Sequence, residues 1–368
     1  MSDGPGARPG ADPLAQVRER LRARDYAGAE VLLAADALRD LPGTALLVAQ
    51  AAWGGGRHEE ALAAFRVAAA RAPDDVDAQV RLAQALVSLG AGPEAERLLA
   101  ATEQRAPGAV EPAFLRLLYA LDHEPLDAVA NGMAALAAGA PQAGEVEIAA
   151  RALAVLAGRQ PAAPHEFGRA RANARWRGVL HQARHCPPAR VFGTASAVLR
   201  HALSACTVDG LTLEFGVYHG RSLRQVAAQV TGPVHGFDSF QGLPEDWTPK
   251  DPRGSYSTGG RLPAMPAHVT LHAGWFEDTL PAFMATHPGP VRFAHVDCDL
   301  YSSTRTVLAA LETRLVPGSV LLFDDFLAIG DAETDEARAF REHADRTGLR
   351  HEYLGFTLLG RVAALRLL

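Results

Sequence analysis

With 368 residues, 48% of them hydrophobic and 21% charged, the chain has the makings of a soluble globular protein of two domains, not of a disordered or fibrous one. A net charge of −6 argues against nucleic acid as a partner, and no run of about 20 apolar residues is present to span a membrane. Three cysteines, Cys186, Cys206 and Cys298, lack the spacing of a disulfide framework or a zinc site, which points to a reducing cytoplasm.

Residues 1–12 are rich in Gly and Pro and have no apolar core, so they read as a disordered start and not as a secretory signal. From 13 to 158 the chain is rich in Ala, Leu, Glu and Arg with helical periodicity, and it repeats. Pro73, Pro107 and Pro141 are spaced by 34, Ala49-Gln50-Ala51 recurs as Ala83-Gln84-Ala85, and Glu60-Ala61 recurs as Glu94-Ala95. The pattern resembles the tetratricopeptide repeat, a helical hairpin of that period. In the clearest copy Ala49 and Ala61 would sit where two helices touch, Phe65 would fill the groove, and Pro73 would end the second helix. The copy around Ala83, Ala95, Leu99 and Pro107 is nearly as good, and those around Ala29 and Val129 are degenerate, as terminal repeats often are. Such an array offers a concave face to a protein segment, braces a neighbour, or dimerises.

Residues 159–190 carry Arg169, Arg171, Arg175, Arg177 and Arg184 around Trp176. The stretch reads as a linker helix whose arginines face solvent or pair with acids, the alternative being a surface that meets an acidic substrate or nucleic acid. From Val191 the pattern becomes strand–loop–helix. Leu211 to Phe215 is a strand holding Glu214. Gly216-Val217-Tyr218-His219-Gly220 is a turn in which glycine lets the backbone approach a ligand, and Ser222 to Val230 continues as a helix. A second strand, Val234 to Phe237, ends in Asp238, 22 residues after Gly216, where an acid is placed to grip a ribose diol. On its own this fits a nicotinamide enzyme or an S-adenosylmethionine enzyme. The dinucleotide pattern Gly-x-Gly-x-x-Gly is absent, and Glu214 suits a cofactor with an amino group.

Two further apolar runs end in pairs of acids 27 positions apart: Ala294-His295-Val296-Asp297-Cys298-Asp299 and Val320-Leu321-Leu322-Phe323-Asp324-Asp325. Runs of this kind are strands buried on both faces of a parallel sheet, whose carboxyl ends are where ligands gather. Four acids at one edge repel unless a cation, a proton or a substrate charge relieves them. If the strand persists, Asp297 and Asp299 leave the same face. An oxygen-rich set with no histidine or cysteine cluster favours a hard cation such as Mg²⁺ over zinc. The alternatives are plain: Asp297 capping the helix that starts near Ser302, or Asp324 or Asp325 pairing with an arginine. The histidines His219, His272 and His295 read as packing or surface residues. The polar stretch from Glu245 to Pro266, with Trp247, is long enough to be a lid or merely a tether.

Taken together, the glycine turn, Asp238-Ser239-Phe240-Gln241-Gly242-Leu243-Pro244-Glu245, Gly274-Trp275-Phe276-Glu277-Asp278, Val296-Asp297-Cys298-Asp299-Leu300-Tyr301-Ser302-Ser303-Thr304 and Phe323-Asp324-Asp325-Phe326 resemble, in order, the macrocin O-methyltransferase type of class I S-adenosylmethionine-dependent methyltransferase. The resemblance covers residues 191–368 and implies a Rossmann-like α/β domain with a seven-stranded, mostly parallel sheet behind the helical repeats. It implies that S-adenosyl-L-methionine is held by Asp238 and Ser239 at the ribose, by Glu214, Gly216 and Gly220 at the methionine end, and by Gly274, Trp275 and Phe276 at the adenine. It implies Asp297, Asp324 and Asp325 as ligands of Mg²⁺, Asp299 as general base, and a hydroxyl of a sugar or glycosylated small molecule as acceptor. Tyr301 would orient the acceptor or pack. The family commonly has a second glycine where this chain has Arg221. The alternative is a repeat-based scaffold with an inactive methyltransferase-like domain, expected if the two acid pairs lie apart or Arg221 fills the cofactor pocket.

Overall fold

The computed structural model describes residues 12–38, 41, 43–186, 189–327 and 334–368, so the expected disordered start lies outside the described residues except for Asp12. Two compact units emerge, the first running to Val87 and resuming over Ala91–Pro112, the second made of Ser88–Gly90 and Ala113–Leu368.

The first unit is helical: α1 (Ala15–Arg22), α2 (Tyr26–Leu33), α3 (Thr44–Gly54), α4 (His58–Arg71), α5 (Val76–Ser88), α6 (Gly92–Arg105) and the start of α7 (Val110–Ala120). Ala49, Ala61, Ala83, Ala95 and Leu99 are all fully buried and Phe65 nearly so, as the repeat pattern predicts. Alanine at these crossings lets helix axes approach closely. The prolines act one residue upstream of themselves. Ala72 and Ala106 leave helical geometry (φ −131°, ψ 70° and φ −122°, ψ 66°), because the ring of Pro73 or Pro107 crowds the preceding residue out of the α region. Gln79 then joins one hairpin to the next, its amide donating to Ala69 O (2.8 Å) and Ala72 O (3.1 Å) at the frayed end of α4.

The second unit continues with α8 (Leu126–Gly139) and α9 (Gly144–Leu156), so the division between units falls near residue 112 and the last expected repeat is grouped with the sheet. The arginine-rich stretch forms α10 (Ala170–His185). Trp176 is its buried anchor, donating from Nε1 to Ala163 O (3.0 Å), while Arg175 pairs with Glu145.

Eight strands then make one sheet: β1 (Arg190–Phe192), β2 (Leu211–Phe215), β3 (Val234–Asp238), β4 (Val269–Ala273), β5 (Val291–Val296), β6 (Val320–Phe323), β7 (His351–Thr357) and β8 (Ala363–Leu367). The order is β1-β7-β8-β6-β5-β2-β3-β4, parallel throughout except for β8, which runs against β6 and β7. The strand beyond the expected seven is β1, three residues that pair with the β7 edge; Gly355 opposite leaves room for the Phe192 ring, which a Cβ would meet at 2.6 Å. Helices α11 (Ala195–Ser204), α12 (Arg221–Ala227), α13 (Phe276–Thr286), α14 (Tyr301–Leu311) and α15 (Asp335–Thr347) pack against the sheet. One face of the core joins Val198, Leu199 and Ala202 of α11 and Leu223 and Val226 of α12 to Phe293, Val320 and Leu322 of the strands. Among the described residues no helix is long and apolar enough to cross a membrane.

Candidate active site

The site begins as one row of the sheet. Phe237, Phe215, Val296 and Phe323 lie side by side at the ends of β3, β2, β5 and β6, all fully buried. The next row outward is Asp238, Gly216, Asp297 and Asp324. Backbone bonds carry the register into it: Gly216 N–H to Phe237 O (3.0 Å), Asp297 N–H to Phe215 O (2.8 Å) and Asp324 N–H to Val296 O (3.0 Å). Four motifs far apart in the chain thus meet at the carboxyl edge of a parallel sheet. The two acid pairs do not lie apart, and Arg221 is exposed at the start of α12.

Gly216 is obligatory at its place. Its φ is +89°, and a Cβ would sit 1.7 Å from Asp297 O, so only a bare backbone can pass the acidic loop. Asp238 organises the turn: Oδ2 accepts from Val217 N (2.8 Å) and Tyr218 N (2.7 Å), and Oδ1 from Phe240 N (2.6 Å). Ser239 serves its own loop, accepting from Gln241 N (3.1 Å) and donating to Gly242 O (3.2 Å). Gly220 ends the turn at φ +72° against Met265. Gly274 N–H donates to Asp238 O (3.0 Å), which ties the start of α13 to the same edge. Trp275 is the N-cap of α13, and Phe276 stands edge-on to Phe215 at 5.8 Å.

Glu214 and His295 are register partners on β2 and β5, both buried on the α12 side. His295 Nδ1 lies 2.9 Å from Glu214 Oε2, and Ser222 of α12 donates to Glu214 Oε1 (3.0 Å). Burial pulls the imidazole pKa down, but the Glu214 hydrogen bond and the charges of Glu214 and Asp324 outweigh it and the pKa rises. A ring nitrogen of His295 and carboxylate oxygens of Asp297 and Asp324 all lie within 4.8 Å of one another. The expectation that no histidine stands near the acids is therefore corrected, and His295 is not mere packing. Two carboxylates and an imidazole are a donor set that fits a divalent cation. Burial, then the charges of Asp324 and Asp299, push Asp297 well above the usual carboxylate range, as expected where negative charge is unrelieved.

Asp325, the third expected ligand, is engaged elsewhere: Arg361 Nη1 lies 2.9 Å from its Oδ1. Asp325 also shares a hydrogen bond with Asp299. Burial and the charges of Asp325 and Asp324 push Asp299 up to about 8 against the pull of Arg361. Burial raises Asp325 only to about 6, because Arg361 and the Asp299 hydrogen bond oppose it. Asp299 is also bent out of the strand. The strand stops at Val296, and Asp299 has φ +61°, so the alternation that would align it with Asp297 lapses.

One residue outside every motif supports this arrangement. Glu336, fully buried on α15, accepts from Cys298 N (3.3 Å) and Asp325 N (2.9 Å), joining the loops after β5 and β6. Tyr301 is a packing residue, bonded to Glu342 (2.6 Å) under Arg338. Helix α14 has Leu300 at its N-cap with no side-chain cap, so Asp297 does not cap it. The segment after Glu245 is tied to itself through Thr248–Asp251 and Tyr256–Asp251 bonds, and Trp247 lies 5.8 Å from the Arg361 guanidinium.

Residues 213–326 match the family described as a methyltransferase domain, and residues 52–121 match the tetratricopeptide repeat. Over 170 residues the chain is 27% identical to 8-demethyl-8-(2,3-dimethoxy-alpha-L-rhamnosyl)-tetracenomycin-C 4'-O-methyltransferase of Streptomyces olivaceus, an overlap of 39% of this chain and 63% of that protein's length. Among solved structures, the calicheamicin methyltransferase CalS11 is 27% identical, with 46% of this chain and 76% of that one covered at a TM-score of 0.36. The O-methyltransferase NovP is 20% identical over the same shares at 0.36. A helical region that matches the tetratricopeptide repeat thus precedes a mostly parallel α/β domain that matches a methyltransferase domain.

Proposed function

We propose that the sheet unit transfers a methyl group from S-adenosyl-L-methionine to a hydroxyl oxygen of a sugar or glycosylated small molecule. The observation that carries this reading is the row Asp238–Gly216–Asp297–Asp324 at the carboxyl edge, with Asp299 beside it. The methyltransferase-domain match and the rhamnosyl acceptor in the name of the Streptomyces olivaceus relative support it.

In this reading Asp238 and Ser239 border the ribose, and Gly216 and Gly220 let the backbone approach the methionine end above buried Glu214. Gly274, Trp275 and Phe276 border the adenine. The bound cofactor supplies an activated sulfonium methyl. Asp299, in its ionised form, takes the proton that the acceptor hydroxyl loses as its oxygen meets that methyl. A divalent ion, Mg²⁺ by family resemblance, would be held by His295, Asp297 and Asp324 and would supply positive charge that acidifies and orients the hydroxyl. Trp247 and the segment around it would cover the acceptor. The repeats would bind a protein segment, and the whole would work in the cytoplasm.

The test is methyl transfer from radiolabelled S-adenosyl-L-methionine to a panel of rhamnosylated and other glycosylated aromatics. Asp299→Asn should lower turnover by roughly 10² to 10⁴-fold while S-adenosylhomocysteine binds as before. Undiminished turnover in that variant removes Asp299 from the reaction.

A further inference from the structure

The imidazole in the acid site bears on which cation the site takes. His295 and Asp297 are two apart at the end of β5 and so share a face, and Asp324 follows on the neighbouring strand. Glu214, fully buried, lies at His295 Nδ1, and the His295 side chain is only 3% exposed. A carboxylate on one ring nitrogen fixes the tautomer and leaves the other nitrogen's lone pair for a metal, the arrangement by which ligand histidines are held and made more basic. Ser222 in turn fixes Glu214. The orientation is thus built by three elements: β2, β5 and α12.

Asp325 is held away from such a role by an internal cation. Arg361 pairs with it at 2.9 Å, and the arginine is anchored by its own backbone, since Arg361 O accepts from Phe326 N (3.0 Å) and Leu327 N (2.8 Å). The turn between β7 and β8 is therefore tied to the loop that carries Asp325. The guanidinium neutralises one acid, while the imidazole, once it gives up its proton to a bound cation, would supply a neutral donor.

We propose that the cation set of this chain is His295, Asp297 and Asp324, with Asp325 reserved for Arg361, and that the set prefers a first-row transition ion such as Mn²⁺ to Mg²⁺. Mg²⁺ favours an octahedral oxygen shell and keeps its waters, whereas an imidazole donor adds affinity for transition ions. The inference refines the cation part of the proposed function but is read from the metal directly, so it can fail while methyl transfer stands, and the reverse.

The full chain, stripped with chelator, is titrated with MnCl₂ and the free-ion electron paramagnetic resonance signal is followed, with MgCl₂ as competitor. Electron spin-echo modulation of bound Mn²⁺ then reports any coordinated nitrogen. The expected result is one site at least about tenfold tighter for Mn²⁺ than for Mg²⁺, with ¹⁴N modulation in the wild type. In His295→Gln the modulation disappears and affinity falls about 10 to 100-fold, whereas Asp325→Asn changes affinity by less than about threefold. Glu214→Gln, which keeps the shape of the buried pair, retains the modulation at weakened affinity. The wild-type spectrum decides even if a variant fails to fold: bound Mn²⁺ without ¹⁴N modulation, or no Mn²⁺ binding, overturns the proposal. So does loss of binding in Asp325→Asn with retention in His295→Gln.

Discussion

The repeat hairpins and the acid site are built by opposite logic. In the hairpins each contact lies within a few tens of residues, and small side chains at a fixed spacing (Ala49, Ala61, Ala83, Ala95) decide where helices touch. In the site the decisive contacts join distant segments: His295 to Glu214 across 81 positions, Cys298 to Glu336 across 38. The first design tolerates a local error by distorting one hairpin; the second has a few buried polar groups on which several loops depend at once.

That contrast can be broken most forcefully at Glu336. Glu336→Ala leaves one buried and one part-buried backbone amide without an acceptor and frees both acid loops, a loss of roughly 2–5 kcal/mol from the unfolding free energy. Thermal unfolding should show it together with a collapse of turnover; an unchanged melting curve would mean the two loops hold their shape unaided.

A smaller effect is expected in the hairpins. Ala61→Leu overpacks the crossing of α3 and α4 and should destabilise the first unit by about 1–3 kcal/mol. S-adenosylhomocysteine affinity, measured in the same sample, should not change. An equal loss of affinity would show the two units to be energetically coupled.

The smallest effect comes from the far edge of the sheet. Burial, then the charges of His272 and His287, press His235 down to about 4, with His272 Nε2 at 3.1 Å and Phe283 packed on the rings. The folded pKa lies below the unfolded one near 6.5, so the neutral cluster contributes stability above pH 6.5 that is lost as pH falls toward 4. Melting temperature should drop over that window, and His235→Gln should flatten the slope. An identical slope in the variant would place the acid sensitivity elsewhere.

How much was legible follows from the same contrast. Pro73 and Ala61 announce a hairpin because their effects are felt by immediate neighbours. The strand ends were equally plain, since an apolar run that stops at acids marks a sheet edge. The neighbours of each strand were not, because the order β5-β2-β3 is set by long-range pairing that no local pattern carries. His295 was within reach: it stands two residues before Asp297, and period-2 alternation puts both on one face. Asp299 misled in the opposite sense, since the strand ends at Val296 before alternation reaches it. Glu336 and Arg361 left no trace, as each is one charged residue in a polar helix or turn until the fold brings it under the acids. The three residues of β1 carry too little periodicity to show that they add an eighth strand at the sheet edge.

The most direct test of the central claim is calorimetric titration of the intact chain with S-adenosylhomocysteine, with NAD as control. Saturable binding of S-adenosylhomocysteine is expected, and none of NAD; in Asp238→Asn, where an amide replaces the carboxylate that organises the glycine turn, the binding of S-adenosylhomocysteine should weaken. A folded wild type that takes up no S-adenosylhomocysteine, with or without divalent cation, would contradict it.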